Sequence, residues 1–307
     1  MPRQPARIAK PPLRHRLREP LAAFLLAAFS RLSLCTAHRL GRLIGSLAFY
    51  LPTRARKISL TNIAIYAGIY SGVNQKRLAK QSLQHTACAF TELGALWLWP
   101  EQAIYSMIKS VEGEQHVKAA LENAKGVIFI TPHIGSWEMI GLYVARNFNL
   151  TTMYKPHRIA AVSDVMKHGR ERFGGTYVPA NSQGLAQLLK ALRAGNSIGL
   201  LPDQDPGYES GVFAPLLGIE TNTVTLIAKL AAKSGAPLLA CYSERMLNGE
   251  GYKVIFRPAI TLPNDIHAAT CEMNKEDEQV IHACPQQYLW SYPRFKRRPN
   301  PDEDFYS

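Results

Sequence analysis

The chain has 307 residues, of which 47% are hydrophobic and 19% charged, and its formal net charge is +13. This length can bury a sizeable core, in one large domain or in two. The charge points to an anionic partner, and no helix-turn-helix, zinc-finger or aromatic RNA-binding signature is present, which makes a membrane surface or an acidic protein better supported than nucleic acid. The five cysteines are scattered and include no CxxC pair, which argues against a disulfide framework or structural zinc and favours a reducing compartment.

The amino-terminal region divides into two segments by composition. Residues 1–20 are basic and interrupted by prolines, which predicts an unstructured tail. Residues 21–52 are apolar but contain arginines, and no uncharged apolar run reaches the length that a membrane span needs. They predict a helical anchor that lies in or dips through the membrane, with the basic tail at the cytoplasmic surface. A buried core helix and the hydrophobic part of a signal peptide are the alternatives.

The remaining residues, 53–307, are predicted to form one large domain. Residues 54–99 have a helical pattern with a break near 68–73, after which strand and helix patterns alternate. The predicted strands are 126–131, 151–154, 176–179, 197–202, 238–242 and 252–256, and the predicted helices include 160–173, 183–194, 223–233 and 274–283. Such alternation predicts an α/β fold with a mostly parallel central sheet flanked by helices. Ligands bind such sheets beyond the carboxyl ends of the strands.

The most informative motif is TPHIGSWE at residues 131–138, which follows a buried strand and precedes a helix. His133 and Glu138 would lie roughly 140° apart on one continuous helix. The spacing therefore favours His133 on the loop and Glu138 in the first helical turn, facing back. A carboxylate there can fix the imidazole tautomer, which is what a general base needs. Ser136 is a credible N-cap of this helix, and the alternative interpretation of the motif is a polar turn with a capping carboxylate.

This unit of strand, HxxxxE and helix resembles the first signature of the lysophospholipid acyltransferase superfamily, and the Trp137-Glu138 pair resembles its lipid A branch. Three later segments also resemble blocks of that branch: DQDPG at 203–207, GVFAPLLG at 211–218 and QYLWSYPRFKRRP at 287–299. They occur in the expected order, and the resemblance covers nearly the whole chain from about residue 21. It implies an acyltransferase-like fold with an amino-terminal membrane anchor, no cofactor and no metal.

The resemblance assigns further residues to the site. Arg170 matches the arginine of the second signature, which is associated with the acyl acceptor. A guanidinium can clamp a phosphate with two hydrogen bonds or stabilise negative charge in the transition state. Asp203, Asp205 and Gly207 correspond to the third signature, which lies beside the acceptor. Their alternative is a turn with local side-chain caps, and no second ligand cluster supports a divalent metal.

Two segments have competing interpretations. Residues 213–218 could contact the acyl chain or pack in the core, and the block lacks the phenylalanine that the branch more often has near Leu216 or Leu217. Gln286 replaces the acidic residue usual just before the carboxy-terminal block. The basic run at residues 294–298 predicts a surface for phosphates or a partner, with an ordinary solvated tail as the alternative.

The resemblance thus predicts an acyltransferase at the cytoplasmic face of the inner membrane. It would move a fatty acyl chain from an acyl carrier protein thioester to a hydroxyl of a lipid A precursor. His133 would be the base and Glu138 its partner, without a covalent acyl-enzyme. Inner-membrane lipids, the acidic carrier protein and the phosphorylated acceptor would all suit the positive charge. The alternatives are acyl transfer from coenzyme A to a lysophospholipid or another glycolipid, a hydrolase that uses the same pair on water, and a non-catalytic membrane-surface protein.

Overall fold

A computed structural model describes residues 13–155, 159–300, 302 and 304–306. The described chain begins with helices: α1 (Leu13–Ser30), α2 (Leu34–Tyr50), α3 (Arg54–Ile69), α4 (Gln75–Thr91), α5 (Leu93–Leu98) and α6 (Glu101–Tyr105). Strands and helices then alternate: β1 (Ile108–Glu112), α7 (Glu114–Leu121), β2 (Val127–Ile130), α8 (Trp137–Asn147), β3 (Leu150–Tyr154), α9 (Ala160–Glu171), β4 (Thr176–Pro179), α10 (Ser182–Arg193) and β5 (Ser197–Leu200). The last part contains β6 (Gly211–Leu216), β7 (Ile219–Val224), α11 (Leu226–Ser234), β8 (Leu238–Arg245), β9 (Tyr252–Phe256) and α12 (Ile266–Ala283).

Seven strands form one sheet in the order β1-β9-β8-β2-β5-β3-β4. Every neighbouring pair is parallel except β8 and β9, which are antiparallel. Successive residues of β2 supply both faces: Ile128 and Ile130 pack in one core cluster, and Val127 and Phe129 pack in the other. Helices cover both faces, as parallel sheets require. The predicted α/β class and mostly parallel sheet are therefore confirmed.

Strands β1 and β7 were not predicted, and residues 211–218 were treated only as an apolar block. In the structure β6 and β7 form a separate antiparallel hairpin. Its two-residue turn, Leu217 and Gly218, has positive φ at both positions (50° and 70°), the geometry of a type I′ turn. Ala214, Leu216 and Leu217 are buried, and the last two join the main core cluster, which favours the packing interpretation of this block.

The amino-terminal helices pack against the rest of the protein. Helix α1 begins at Leu13, inside the segment expected to be unstructured, while residues 1–12 of that tail lie outside the described residues. The anchor expected over 21–52 corresponds to the rest of α1 and to α2, and no helix in the described part of the chain has the length and apolar character needed to cross a membrane. Helix α2 lies close to α4, because a Cβ on Gly45 would approach the Cα of Gln84 to 2.4 Å.

Candidate functional site

Residues 131–136, which we call the motif loop, connect β2 to α8 at the carboxyl edge of the sheet. Backbone hydrogen bonds hold the loop: Gly135 N donates to the carbonyl of Gln287 (3.1 Å), and Ser136 N donates to that of Ser243 (2.7 Å). Gly135 has a φ of +55°, and a Cβ there would lie 2.0 Å from the Ser243 carbonyl oxygen. Any side chain at position 135 would therefore push the loop away from β8.

His133 forms a two-point contact with Asp203, which follows β5. Its backbone N donates to Asp203 Oδ2 (2.8 Å), and its Nδ1 lies 2.7 Å from Asp203 Oδ1. Burial would raise the pKa of Asp203, but the His133 ring and its hydrogen bonds lower it overall. The carboxylate is therefore ionised and accepts the Nδ1 proton, which leaves Nε2 of His133 as the basic nitrogen. The side-chain amide of Gln204 lies 3.2 Å from that Nε2.

Glu138 does not make the contact that its spacing from His133 predicted. Its Oε1 accepts hydrogen bonds from Trp97 Nε1 (2.7 Å) and Arg170 Nε (2.6 Å), and its Oε2 accepts from Arg170 Nη2 (2.7 Å). No hydrogen bond joins Glu138 to His133 in this description of the chain. The guanidinium fork of Arg170 matches a carboxylate with two parallel bonds, and it occupies Glu138. The orienting contact to the imidazole comes from Asp203 instead.

Arg170, the predicted phosphate clamp, uses part of its guanidinium within the protein. The edge formed by Nε and Nη2 binds Glu138, so a phosphate clamp would use the Nη1–Nη2 edge. Burial alone would lower the pKa of Arg170, but the charge and hydrogen bonds of Glu138 raise this pKa above its ordinary value. The side chain is therefore a permanent cation. His133, Glu138 and Arg170 line the same cavity. The structure therefore brings these predicted residues together, with different pairing.

Asp205 and Gly207 shape the turn after Asp203. The Asp205 side chain is 1% exposed, and its Oδ1 accepts from Gly207 N (2.9 Å), Asn222 Nδ2 (3.0 Å) and Arg297 Nη1 (2.5 Å). Burial would raise the pKa of Asp205, but these hydrogen bonds and the Arg297 charge lower it overall. Gly207 adopts a φ of +91°. The capping interpretation of Asp205 accounts for these contacts.

The carboxy-terminal basic run is largely engaged within the protein. Arg294 is 3% exposed and donates to the carbonyl of Asn222 (2.8 Å) and the hydroxyl of Thr223 (2.8 Å). Arg297 binds Asp205, as described above. These arginines hold the β6–β7 hairpin and the turn at 203–207 in place, which the predicted basic surface for residues 294–298 did not foresee.

A cavity of about 210 Å³ extends from His133 into the protein between α8 and the sheet. His133, Glu138 and Arg170 contribute polar groups to its lining. Most of the other lining side chains are apolar, among them Phe129, Ile140, Val144, Leu150, Met153 and Leu200. Gly141 also lines it, and a Cβ there would meet no atom within 4 Å. The lining thus combines mainly apolar surface with polar groups that include His133.

The sequence analysis did not identify three residues of the site: Trp97, Gln204 and Glu92. The carboxylate of Glu92 accepts a hydrogen bond from the Ser136 hydroxyl (2.6 Å). One signal was available for Glu92. It is a lone carboxylate in the apolar stretch TACAFTELGALWLW (86–99), and such a charge is usually buried with a partner. Within the described residues, no cluster of histidines, cysteines and carboxylates is arranged to hold a metal ion, and the five cysteines are free thiols.

Removing Arg170 should destabilise the fold, because Glu138 would become a buried carboxylate without its cation. We expect Arg170→Ala to lower the free energy of unfolding by about 3 kcal/mol in urea denaturation. The double variant Arg170→Ala/Glu138→Gln should recover much of that loss. Lys167→Ala is the matched control, since its ion pair with Glu171 on the same helix is exposed and should contribute less than about 1 kcal/mol. Failure of the double variant to recover stability would contradict this assignment.

Comparison with known proteins places this site in a family. The sequence profile of the bacterial lipid A biosynthesis acyltransferases matches residues 12–297. The lipid A biosynthesis palmitoleoyltransferase of Escherichia coli is 28% identical over 272 residues, which cover 87% of each chain. The lauroyltransferase of the same organism is 28% identical (85% of this chain, 86% of its own), and the myristoyltransferase is 23% identical (85% and 80%). Because the match spans the amino-terminal helices, the sheet and every block of the site, the chain belongs to the family of bacterial lipid A biosynthesis acyltransferases and is an O-acyltransferase.

Proposed function

We propose that this enzyme transfers a fatty acyl chain from an acyl carrier protein thioester to a hydroxyl group of a lipid A precursor, with His133 as the general base. The observation that carries the proposal is the hydrogen-bonded His133–Asp203 pair, whose imidazole lines a cavity with mainly apolar walls. The pair supplies a base beside the position that we propose for the carbonyl carbon of a bound acyl chain. Similarity to lipid A acyltransferases supports the acceptor class, and the net charge of +13 suits an acidic carrier protein.

The chemistry follows from the hydrogen bonds of His133. The acceptor hydroxyl binds at Nε2, where it displaces the Gln204 amide. As its oxygen forms a bond to the thioester carbon, its proton passes to Nε2, and ionised Asp203 stabilises the imidazolium. The carbon–sulfur bond then breaks, and the imidazolium returns the proton to the departing thiolate. The substrate's own hydroxyl thus takes the place that serine has in a Ser-His-Asp triad.

Direct transfer is favoured over an acyl-enzyme. The hydroxyl of Ser136 is buried and donates to Glu92, so it does not face the acyl carbon. Cys241 lines the cavity, but burial raises the pKa of its thiol, which keeps it protonated and a poor nucleophile. The described site residues therefore favour attack by the acceptor itself.

Glu138 and Arg170 act as a unit in this proposal. The carboxylate holds the guanidinium at the cavity, close to the polar end of the acyl chain. A fixed positive charge there stabilises the negative charge that develops on the thioester carbonyl oxygen. Glu138 thus remains a functional residue, and its effect reaches the reaction through Arg170 rather than through His133.

The base assignment predicts a specific mutational pattern. His133→Ala should lower kcat by about 10²- to 10⁴-fold. Asp203→Asn should also lower it strongly, because an amide can present an N–H to Nδ1 and leave the wrong tautomer. The double variant should lose little more than His133→Ala alone, since the two side chains act as one unit. Turnover is measured by mass spectrometry of the acylated lipid.

The exposed residues His267 and Asp164 provide matched controls, and His267→Ala and Asp164→Asn should retain wild-type turnover. A folded His133→Ala enzyme with wild-type activity would overturn the base assignment. Running the same assay with a coenzyme A thioester and with a lysophospholipid acceptor tests the donor and acceptor classes directly.

Gly141 should limit the length of the transferred chain. Its missing side chain leaves open space in the cavity, so Gly141→Leu would fill part of the volume that we assign to the acyl chain. With a series of even-numbered acyl donors, the variant should prefer a shorter chain than the wild type does. Gly68→Leu is the control, because Gly68 lies on α3 with no atom near its Cβ position and outside the cavity. An unchanged length preference in a folded Gly141→Leu enzyme would place the acyl chain elsewhere.

We further propose that α1 and α2 lie in the interface of the inner membrane, at its cytoplasmic face. Their outward surface carries exposed apolar side chains: Leu21, Phe24, Leu25, Leu43, Ile44, Leu47 and Leu51. Leu43, Leu47 and Leu51 follow one another at four-residue spacing, and exposed Arg39 begins the same stripe. An apolar stripe with a cation at its edge suits the boundary between headgroups and acyl chains.

Replacing exposed leucines of this stripe should release the protein from membranes without harming the fold. We expect Leu43→Ser/Leu47→Ser to weaken co-sedimentation with anionic vesicles by at least about tenfold, because apolar area that enters the membrane is lost. The control Ile69→Ser removes an equally exposed side chain at the end of α3, beside the β6–β7 turn. Equal binding by the double variant and the wild type would exclude this surface.

A further inference from the structure

A buried polar cluster contacts the motif loop through residues that do not line the cavity, and the mechanism above does not use it. It consists of Glu92 at the end of α4, His38 of α2, Ser136 of the motif loop, Arg245 at the end of β8 and Tyr252 at the start of β9. Each residue is at most 3% exposed. We call this group the Glu92 cluster.

Both carboxylate oxygens of Glu92 are fully engaged. Arg245 donates through Nε (2.7 Å) and Nη2 (2.6 Å), and Ser136 donates through its hydroxyl (2.6 Å). His38 Nε2 lies 2.9 Å from Oε2, and the Tyr252 hydroxyl donates at 3.1 Å. Burial would raise the pKa of Glu92, but Arg245 and these hydrogen bonds lower it well below the usual range, so the carboxylate is ionised wherever the protein is folded and active.

The hydroxyl of Ser136 connects the motif loop to the Glu92 cluster. Ser136 occupies the N-cap position of α8, where a serine side chain usually accepts a hydrogen bond from the helix backbone. Here its side chain makes no such bond and donates to Glu92 instead. Ser136 is therefore at the predicted N-cap position, but the side-chain hydrogen bond expected of a capping serine is absent. Ser136 therefore links the motif loop to Glu92 at the end of α4, and the start of α8 has no side-chain cap.

Stability alone does not account for such a cluster. A buried ion pair is weak evidence for stability, because well-packed apolar side chains often replace one without loss. A fully hydrogen-bonded carboxylate does, however, fix its partners in direction as well as in distance. Ser136 lies three residues after His133 and two before Glu138, so a fixed Ser136 hydroxyl constrains both ends of the site.

We propose that Glu92 is a positioning residue for acyl transfer, which acts through the hydroxyl of Ser136. It holds the motif loop and the first turn of α8 so that Nε2 of His133 and the Glu138–Arg170 pair face the cavity together. Arg245 keeps the carboxylate charged and oriented, and His38 joins it to α2, the helix with the outward apolar stripe. The inference rests on the proposed role of His133 as the base.

Ser136→Ala tests the inference without leaving a charge unpaired, since Glu92 keeps Arg245, His38 and Tyr252. We expect kcat to fall by about tenfold or more, because small displacements of a reacting group reduce turnover steeply. The KM values for donor and acceptor should stay within about twofold, since the cavity itself is unchanged. Assays use the full-length enzyme with an acyl carrier protein thioester.

Thr91→Val is the matched control. Thr91 is also buried near the end of α4, and its hydroxyl donates to the carbonyl of Ala37 on α2 (2.8 Å) without touching the motif loop. Both substitutions remove one buried hydroxyl hydrogen bond, so both should lower the urea midpoint by similar amounts. Only Ser136→Ala should lower kcat. Wild-type turnover in Ser136→Ala, or an equal loss in Thr91→Val, would overturn the proposal.

Glu92→Gln provides a second arm. If the carboxylate acts through Ser136, the loss of kcat in Ser136→Ala/Glu92→Gln should be smaller than the product of the single losses. Independent, multiplicative losses would count against the proposal, and if Glu92→Gln does not fold, the comparison of Ser136→Ala with Thr91→Val decides. A fully active His133→Ala enzyme would instead defeat the proposed function, so the two failures are distinguishable.

Discussion

The hydrogen-bonded pair of His133 and Asp203 is the contact on which the rest of the site depends. It joins the loops that follow β2 and β5, two adjacent parallel strands in which Ile130 pairs with Leu200. Because parallel strands advance together, the third residue after each strand end arrives at the same height above the sheet. The register of two buried strands thus places an imidazole opposite a carboxylate. In the proposed function this imidazole is the base, and the cavity, the Arg170 cation and the acyl carbon are arranged around it.

Three buried carboxylates lie in or around the motif loop and the first turn of α8, and each has a defined partner: Asp203 binds His133, Glu138 binds Arg170, and Glu92 binds Arg245. The geometry of the cations explains the division. A guanidinium offers two parallel donors and engages both oxygens of each glutamate, whereas an imidazole offers one donor and takes the aspartate whose second oxygen binds the His133 backbone. Five-residue spacing within one motif cannot reveal this distribution, since the competing arginines come from α9 and β8.

Most strands of the sheet could be predicted from the sequence, whereas the pairing of charged side chains could not. The strands β2, β3, β4, β5, β8 and β9 have continuous apolar or β-branched runs and were predicted, whereas β1 lies at the sheet edge with a mixed pattern. His133 and Asp203 were both expected at the carboxyl rim, but their pairing depends on strand order, which local periodicity does not encode. Asp205, Arg294 and Arg297 look like exposed binding groups in the sequence. Only the tertiary fold shows that they hold a hairpin and a turn.

The motif loop is held by polar contacts, and such contacts suit the acyl-chain substrates of the proposed function. In the proposed function the enzyme handles acyl chains at a membrane surface, where it is surrounded by hydrocarbon, and hydrocarbon competes with apolar side-chain contacts. It does not compete with charge-assisted hydrogen bonds, since it offers neither donors nor acceptors. In the proposed function, a loop held by Glu92, Asp203 and backbone carbonyls keeps its position while an acyl chain enters the cavity beside it. The lining of the cavity and the outward stripe of α2 are the two apolar surfaces where the proposal places hydrocarbon.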